Sequence, residues 1–269
     1  MKKILLLIAL LICCTLGYSQ TAEDYFKTGI AHLETGNFEE AISEFNKVIE
    51  INQEDAEAFY FRGYAKESLG DYNGAFSDYS KAIEIDPEDA DLYFDRAFVR
   101  EELDDFEGAL SDYSKAIEIN PEDVDAYYMR GYVREVLVDY EGAIIDYSKV
   151  IKLDPEDPDA YLSRAIAKDE LGDLEGAISD YTKTIEIEPE NADAYYMRGF
   201  ARDELGDLEG AISDYTKTIE IEPEDSDAYY LRGVAKFMID DFFGACNDWE
   251  KAYELGDLDA YELIIDYCQ

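Results

Sequence analysis

Six arginines and six aspartates recur at one fixed separation along this chain, each aspartate sixteen residues after its arginine. The pairs are Arg62 and Asp78, Arg96 and Asp112, Arg130 and Asp146, Arg164 and Asp180, Arg198 and Asp214, and Arg232 and Asp248. A guanidinium and a carboxylate form a bidentate ion pair, and a buried guanidinium requires such a partner. One unit earlier both partners change together, to Thr28 and Glu44. We therefore predict structural ion pairs; the alternative is that these arginines bind an anionic ligand.

Two cysteines, Cys246 and Cys268, could form a covalent crosslink. Their midpoint is position 257, directly after Gly256, where the sequence predicts a turn. Residues equidistant from the turn of an antiparallel helical hairpin lie side by side, so we predict a disulfide between them. The alternative is that both are small buried residues in a chain that meets no oxidant.

Signatures of catalysis and of metal binding are absent from the sequence. His32 is the single histidine, and neither a Cys and His cluster nor a glycine-rich phosphate loop occurs. Carboxylates are so numerous that pairs of them indicate nothing about acid–base catalysis. We predict a protein that is not an enzyme and that uses no cofactor or metal.

The chain is strongly acidic, with 65 Asp and Glu against 23 Lys and Arg and a formal net charge of −42. Such a surface repels a phosphate backbone, so nucleic acid is excluded as a partner and a basic protein or peptide is favoured. Because 47% of the residues are hydrophobic and 14% are aromatic, the chain has enough apolar surface to fold.

A 34-residue period organises the sequence into helical pairs. Five prolines mark it: Pro87, Pro121, Pro155, Pro189 and Pro223. An alanine and an aromatic residue four positions later, such as Ala211 and Tyr215, recur in every unit and share one helical face. An Asp or Asn precedes each of these runs and is predicted to cap a helix N-terminus: Asn37, Asp71, Asp105, Asp139, Asp173, Asp207 and Asp241.

A tight turn is predicted between the two helices of each unit. Gly36, Gly70, Gly172 and Gly206 lie directly before the capping residue, where a left-handed backbone ends the preceding helix. Val138 replaces this glycine in the fourth unit. Because a β-branched residue resists the left-handed conformation, we predict a different turn or a longer first helix there.

This pattern resembles the tetratricopeptide repeat family, whose aromatic, small, alanine, aromatic and proline positions match Tyr195, Gly199, Ala211, Tyr215 and Pro223. The resemblance implies an all-α, right-handed superhelical solenoid that binds protein partners. It covers seven repeats within a single domain of residues 20–269: residues 22–55, 56–89, 90–123, 124–157, 158–191, 192–225 and 226–259. Residues 260–269 carry an apolar stripe at helical spacing and are predicted to form a capping helix.

The resemblance also implies a concave groove lined by the first helix of each repeat. It places there Tyr60, Tyr64, Phe94, Phe98, Tyr128, Tyr132, Leu162, Ile166, Tyr196, Phe200, Tyr230 and Val234, flanked on one side by Asp91, Asp125, Asp159 and Asp193 and on the other by Glu67, Glu101, Glu135, Asp169 and Asp203. Such a groove suits Lys or Arg side chains and flat apolar groups together. We expect it to bind an extended basic or aromatic-containing segment. The alternatives are that the aromatics pack between helices, and that the array is a spacer acting through its ends.

The N-terminus has the pattern of a bacterial-type signal peptide. Lys2 and Lys3 precede an uncharged stretch over residues 4–16, and small residues surround a cleavage point after Ser19. Residues 1–19 are therefore predicted to be removed on export to the periplasm or beyond, leaving no integral membrane segment. Lipoprotein processing at Cys13 or Cys14 is the alternative.

Overall fold

The computed structural model of the protein describes residues 21–268, within which the chain forms fifteen α-helices and no β-strand. The helices are α1 (Ala22–Glu34), α2 (Phe38–Ile51), α3 (Ala56–Ser68), α4 (Tyr72–Ile85), α5 (Ala90–Glu102), α6 (Phe106–Ile119), α7 (Val124–Val136), α8 (Tyr140–Leu153), α9 (Pro158–Glu170), α10 (Leu174–Ile187), α11 (Ala192–Glu204), α12 (Leu208–Ile221), α13 (Ser226–Met238), α14 (Phe242–Glu254) and α15 (Asp259–Tyr267). The all-α prediction is confirmed. The predicted signal peptide, residues 1–19, lies outside the described residues.

The first fourteen helices form seven consecutive hairpins, one for each predicted repeat. Each first helix begins at the residue that opens its repeat in the sequence: Ala22, Ala56, Ala90, Val124, Pro158, Ala192 and Ser226. The chain divides after Pro121 into two compact units, so that α1 to α6 belong to the first unit and α7 to α15 to the second. Within each unit every helix packs against the next along the chain. Burial therefore comes from neighbouring repeats, as in a solenoid.

The alanine and aromatic positions of the second helices form the core of each unit. In repeat six, Ala211 and Tyr215 both have 0% exposure, and the same holds for Ala75 with Tyr79 in repeat two. The aromatic ring lies against the small residue of the first helix, because a Cβ built on Gly199 would come within 2.9 Å of the Tyr215 ring. Small residues on the first helix thus let the two helices approach closely.

The predicted helix caps are present in six of the seven second helices. In each of the six, the aspartate side chain accepts a hydrogen bond from the amide of the glycine three residues later, as in Asp207 with Gly210 at 3.1 Å. Asn37 is the N-cap residue of the seventh, α2, as predicted, but the predicted side-chain hydrogen bond is absent: its side chain instead donates to Thr35 Oγ1 at 2.9 Å. Thr35 occupies a position that is leucine in repeats two to six, so this hydroxyl is a local alternative partner.

The turns between first and second helices share one backbone conformation whatever residue occupies them. The four predicted glycines are left-handed, with φ between 73° and 79°. Val138 has φ 62°, and α7 ends at Val136 like the other first helices, so the prediction of a different turn is wrong. The hydrogen bond from the Asp139 amide to the Arg134 carbonyl, 2.8 Å, closes the same turn as in the glycine-containing repeats. Tertiary packing of the hairpin overrides the local preference of valine.

Helix α15 covers the end of the seventh hairpin. Ala260 is buried, and Leu263 and Ile264 pack on the core that contains Trp249. The helix spans Asp259–Tyr267, slightly shorter than the predicted residues 260–269. It follows Gly256, which has φ 109° and breaks the chain direction after α14.

Candidate functional site

Every predicted arginine–aspartate pair is in contact within its own hairpin. In repeat six, Arg198 donates from Nε to Asp214 Oδ2 at 2.9 Å and from Nη2 to Oδ1 at 2.7 Å. The other five pairs have the same bidentate geometry. The aspartates are at most 5% exposed. Each carboxylate therefore lies inside the stack, where it requires compensation.

A second cation contacts each buried aspartate, and sequence analysis missed it. It lies four residues after the arginine, one turn along the same first helix; in repeat six Arg202 Nη1 donates to Asp214 Oδ2 at 2.8 Å. The set is Lys66, Arg100, Arg134, Lys168, Arg202 and Lys236. The constant spacing of four after each arginine was the available signal, because i and i+4 share a helix face.

The arginines also tie neighbouring repeats together. Arg198 Nη1 donates to Thr182 Oγ1 on the preceding second helix at 2.9 Å, and its guanidinium lies over the Tyr195 ring at 5.6 Å. Arg232 likewise reaches Thr216 Oγ1 at 3.1 Å. With its donors and one face engaged inside the protein, the guanidinium has little left for an anionic ligand.

The aromatic residues at the fifth position of the first helices are half-buried. Tyr128 packs on Tyr147 with ring centroids 5.5 Å apart, and Tyr196 packs on Tyr215 at 6.0 Å. Tyr60 and Phe94 make the same contact in the first unit. Tyr230 is also half-buried and packs against the Trp249 core. These side chains therefore form the floor of the surface and contribute largely to packing.

The aromatic residues at the ninth position are exposed in four repeats. Tyr64 is 43% exposed and Phe98 36% in the first unit, and Tyr132 is 45% and Phe200 38% exposed in the second. Leu162, Ile166 and Val234 are only partly exposed. We call the surface that carries these ninth-position rings, together with the neighbouring acids at positions twelve and thirteen, the first-helix face. Within each unit it offers flat apolar groups to solvent beside carboxylates.

The acids at the twelfth position interact with buried tyrosine hydroxyls. Tyr79 donates to Glu67 at 2.7 Å, Tyr147 donates to Glu135 at 2.9 Å, and Tyr113 donates to Glu101. Burial raises the pKa of each of these three glutamates, and the tyrosine hydrogen bond partly opposes that rise. In repeats five and six the acid is Asp169 or Asp203, and the hydroxyls of Tyr181 and Tyr215 have no partner among the described residues.

Small acidic cavities open between neighbouring first helices. One, of about 230 Å³ in the first unit, is lined by Tyr60 and by the carboxylates of Glu57, Asp86, Asp89 and Asp91. An equivalent cavity of about 190 Å³ in the second unit contains Tyr196 and the corresponding acids. Both combine a tyrosine with several carboxylates.

A carboxylate that interacts with Tyr60 has a perturbed proton affinity. Burial, together with the carboxylates of Glu67, Asp91 and Asp89, raises the pKa of Asp95 to about 6, although a hydrogen bond with Tyr60 acts in the opposite direction. Sequence analysis did not single out Asp95, because the same position is Met129, Ser163 or Met197 in other repeats.

Repeat seven carries an exposed apolar patch that sequence analysis also missed. Met238 is 60%, Phe242 50% and Phe243 80% exposed, and Tyr267 is 53% exposed. Phe237 joins them, with its ring 5.1 Å from that of Phe242 and 4.8 Å from that of Tyr267. Repeats three to six have glutamate where repeat seven has Phe243, and that departure was a readable signal.

Comparison with known proteins explains this architecture. A family profile described as TPR repeat matches residues 29–70, 63–104, 101–135, 139–168 and 170–203, and one described as tetratricopeptide repeat matches residues 192–225. The chain belongs to the tetratricopeptide repeat family. Repeats of this family form scaffolds for protein–protein interaction, typically without catalysis. A search of curated proteins found no match.

Several solved tetratricopeptide repeat proteins share the fold. YrrB, described as a TPR protein with an unusual peptide-binding site, is 26% identical over 70% of this chain and 97% of its own, with a TM-score of 0.64. A protein named MamA is 26% identical over 65% of this chain and 95% of its own, with a TM-score of 0.61. The C-terminal part of a repeat protein from Cytophaga hutchinsonii shares only 18% identity, yet it covers 88% of this chain and 98% of its own with a TM-score of 0.78.

The described part of the tetratricopeptide chain carries neither a metal-binding cluster nor a membrane-spanning helix. Residues 21–268 hold no group of three or more His, Cys, Asp or Glu side chains placed to bind a metal ion. Over the same range, no helix is long and apolar enough to cross a membrane.

Proposed function

We propose that this tetratricopeptide repeat protein is a non-catalytic scaffold that binds an extended basic or aromatic-containing segment of a partner protein on its first-helix face. The observation that supports this most is the exposure of the ninth-position rings, such as Tyr132 and Phe200, beside carboxylates. An aromatic face attracts a cation electrostatically, and the apolar stem of Lys or Arg packs on the ring.

The charge of the chain supports the same class of partner. A formal charge of −42 raises the association rate of a basic segment and disfavours an acidic one. We also propose that residues 1–19 direct export and that the partner is met in the periplasm or outside the cell. YrrB, a similar protein that is described as having an unusual peptide-binding site, supports a peptide segment as the kind of ligand.

The experiment is a selection of random twelve-residue peptides displayed on phage, with residues 20–269 immobilised at low salt. We expect the retained peptides to be enriched in Lys, Arg and aromatic residues, and to be lost when Tyr132 and Phe200 are both changed to Ser. The matched control is Ile145→Ser, which removes a side chain that is 67% exposed on the second helix of repeat four. Retained peptides of background composition, or equal loss with the control, would contradict the proposal.

The apolar patch of repeat seven favours a second candidate, assembly through the end of the array. Phe242 and Tyr267 are exposed and both contact Phe237, and exposed aromatic side chains that lie together indicate interaction sites in water. Phe243→Glu restores the acid that repeats three to six carry. If the end mediates assembly, this change abolishes a self-associated or partner-bound species in sedimentation velocity, whereas Tyr132→Ser with Phe200→Ser leaves that species unchanged. A species that persists in Phe243→Glu but is lost when Tyr132 and Phe200 are changed to Ser would exclude this candidate.

A further inference from the structure

Two lysines on helix α8 differ from all other basic side chains of the described residues. Within residues 21–268, every Lys and Arg forms an ion pair with an Asp or Glu except Lys149 and Lys152. Lys149 Nζ lies over the ring of Tyr127 at 5.5 Å, and Lys152 is exposed. A chain with 65 acidic residues thus keeps two positive charges uncompensated on one helix.

The cause is one departure from the repeat pattern. The lysine that corresponds to Lys149 in repeat five, Lys183, pairs with Glu186 three residues later at 2.9 Å. That later position is glutamate in all six other repeats, and in repeat four it is Lys152. The change removes the acid that would neutralise Lys149 and adds a second cation beside it.

The same helix also exposes an isoleucine to solvent. Ile145 is 67% exposed, at a position that is serine in repeats one to three, five and six. Glu141, Ile145, Lys149 and Lys152 follow one another at spacings of four, four and three residues, so they lie on one face of α8. We call these four residues the α8 stripe. It has an acid at its N-terminal end, an apolar centre and two bases at its C-terminal end.

We propose that the α8 stripe binds the α8 stripe of a second copy of this chain, with the two helices antiparallel about a twofold axis at Ile145. The order of acid, apolar residue and base is self-complementary in this arrangement. Glu141 of each copy lies opposite Lys149 of the other, because the two residues are equally far from Ile145 in opposite directions. The isoleucines meet at the axis and are removed from water. Such a contact closes on itself, since both copies use the same patch.

The distribution of charge favours this surface for a contact between copies. Each copy has a formal charge of −42, so its acidic faces repel those of another copy. At physiological ionic strength the Debye length of about 8 Å confines that repulsion to charges near the contact. The α8 stripe places two lysines there. In repeat five, by contrast, Glu186 already neutralises Lys183, and Ser179 occupies the centre of the corresponding face.

Sedimentation velocity of residues 20–269 tests the proposal, at about 0.15 M NaCl and at protein concentrations of about 10–500 μM, because a single helix face makes a small interface and a weak dimer. We expect the wild type to dimerise as its concentration rises. Ile145→Ser should weaken the dimer by about tenfold or more.

Two charge variants test the antiparallel pairing directly. Glu141→Lys makes the charges of the stripe all positive, and Lys149→Glu with Lys152→Glu makes them all negative. Each variant alone should remain monomeric, because like charges then meet across the axis. An equimolar mixture of the two should associate as a heterodimer, since each supplies the charges that the other lacks. Circular dichroism checks that both variants are folded.

The matched control, Lys183→Glu with Lys217→Glu, makes the same change of charge on the second helices of repeats five and six and should leave the dimer unchanged. Phe243→Glu should leave it unchanged too, which separates the α8 stripe from the end of the array. A wild type that stays monomeric, or a mixture of the two charge variants that does not associate, would overturn the proposal. Loss of the dimer in Phe243→Glu or in the matched control would overturn it as well.

Discussion

Each buried aspartate of a second helix is held by two cations of the same hairpin. In repeat six these are Arg198 and Arg202, at 2.7 Å and 2.8 Å from the Asp214 carboxylate. Arg202 has a second, longer contact with Asp207, at 3.7 Å. Removing Asp214 would therefore leave Arg198 without a carboxylate and Arg202 with that longer contact alone.

A double-mutant cycle on Arg198 and Asp214 measures this coupling. We expect Asp214→Ala to lower the free energy of unfolding by about 3–5 kcal/mol, because it leaves the partly buried Arg198 without a carboxylate and removes the shorter ion pair of Arg202. In urea unfolding, the sum of the losses from Arg198→Ala and Asp214→Ala should exceed the loss in the double variant by about 1–3 kcal/mol. Strictly additive losses would show that the contact carries no energy.

Asp95 predicts a pH dependence of stability. Its pKa is raised to about 6 from an ordinary 3.8, so folding favours the protonated form. The stabilisation from this group is complete below about pH 4 and is lost as the pH rises through 6. Asp95→Asn should raise the free energy of unfolding by about 1–2 kcal/mol at pH 7.5, after allowance for solvent screening, and the gain should vanish near pH 4. Urea unfolding at several pH values measures it, and a gain independent of pH would contradict the assignment.

The sequence predicted the arginine–aspartate pairs but not the perturbed Asp95. The pairs repeat six times at one spacing, so their geometry follows from the hairpin. Asp95 occurs once, and its environment depends on how Tyr60 and Glu67 of the preceding repeat pack against it. A unique contact between repeats leaves no periodic signal.

At the scale of elements, the turn at Val138 carries a cost that the glycine turns avoid. A left-handed conformation costs an L-residue with a Cβ roughly 1–2 kcal/mol, and valine is β-branched as well. Its side chain is 67% exposed, so little burial offsets this cost.

Val138→Gly should therefore stabilise the protein by about 1 kcal/mol. The thermal midpoint by circular dichroism measures it. The matched control, Gly172→Val, introduces valine at φ 76° and should lower the midpoint. A lower midpoint for Val138→Gly would mean that the exposed valine makes a stabilising contact.

The capping helix α15 is joined to α14 by a bond between the sulfur atoms of Cys246 and Cys268. This is the pairing expected for residues equidistant from the turn. A disulfide across a separation of 22 residues stabilises the folded state by about 3 kcal/mol, because it lowers the conformational entropy of the unfolded chain.

Reduction should therefore loosen α15 first. We expect hydrogen exchange of α15 amides to accelerate with a phosphine reductant, while α11 and α12 are unaffected. The variant with both cysteines changed to serine should exchange fast with or without reductant. Equal protection before and after reduction would contradict a structural role for the bond.

Helix boundaries and the four glycine turns were predictable at this scale, and the turn at Val138 was not. The capping aspartates and the 34-residue period predicted where each helix starts. Val138 departed from the prediction because packing of the hairpin outweighed the local preference of valine. Asn37 departed because its side chain bonds the neighbouring Thr35 hydroxyl instead of a helix amide.

At the scale of the whole molecule, an acidic chain of stacked repeats presents exposed rings beside carboxylates on the first-helix face of each unit. The family's positions predicted which residues lie there. They could not separate fifth-position rings, which pack on second-helix tyrosines, from ninth-position rings, which are exposed, because both recur on the same helical face. The structure separates the two positions, by the ring contacts of the fifth and the exposure of the ninth.

The most direct test of the proposed scaffold is site-specific photo-crosslinking in envelope extract of the source organism. The photoreactive residue p-benzoylphenylalanine replaces Phe200 on the first-helix face or, as a control, Ile145 on a second helix. We predict that the Phe200 protein crosslinks to segments rich in Lys and Arg, that high salt suppresses the products, and that the Ile145 protein yields none of them. Crosslinks formed equally from Ile145, or formed from Phe200 to acidic segments regardless of salt, would contradict the central claim.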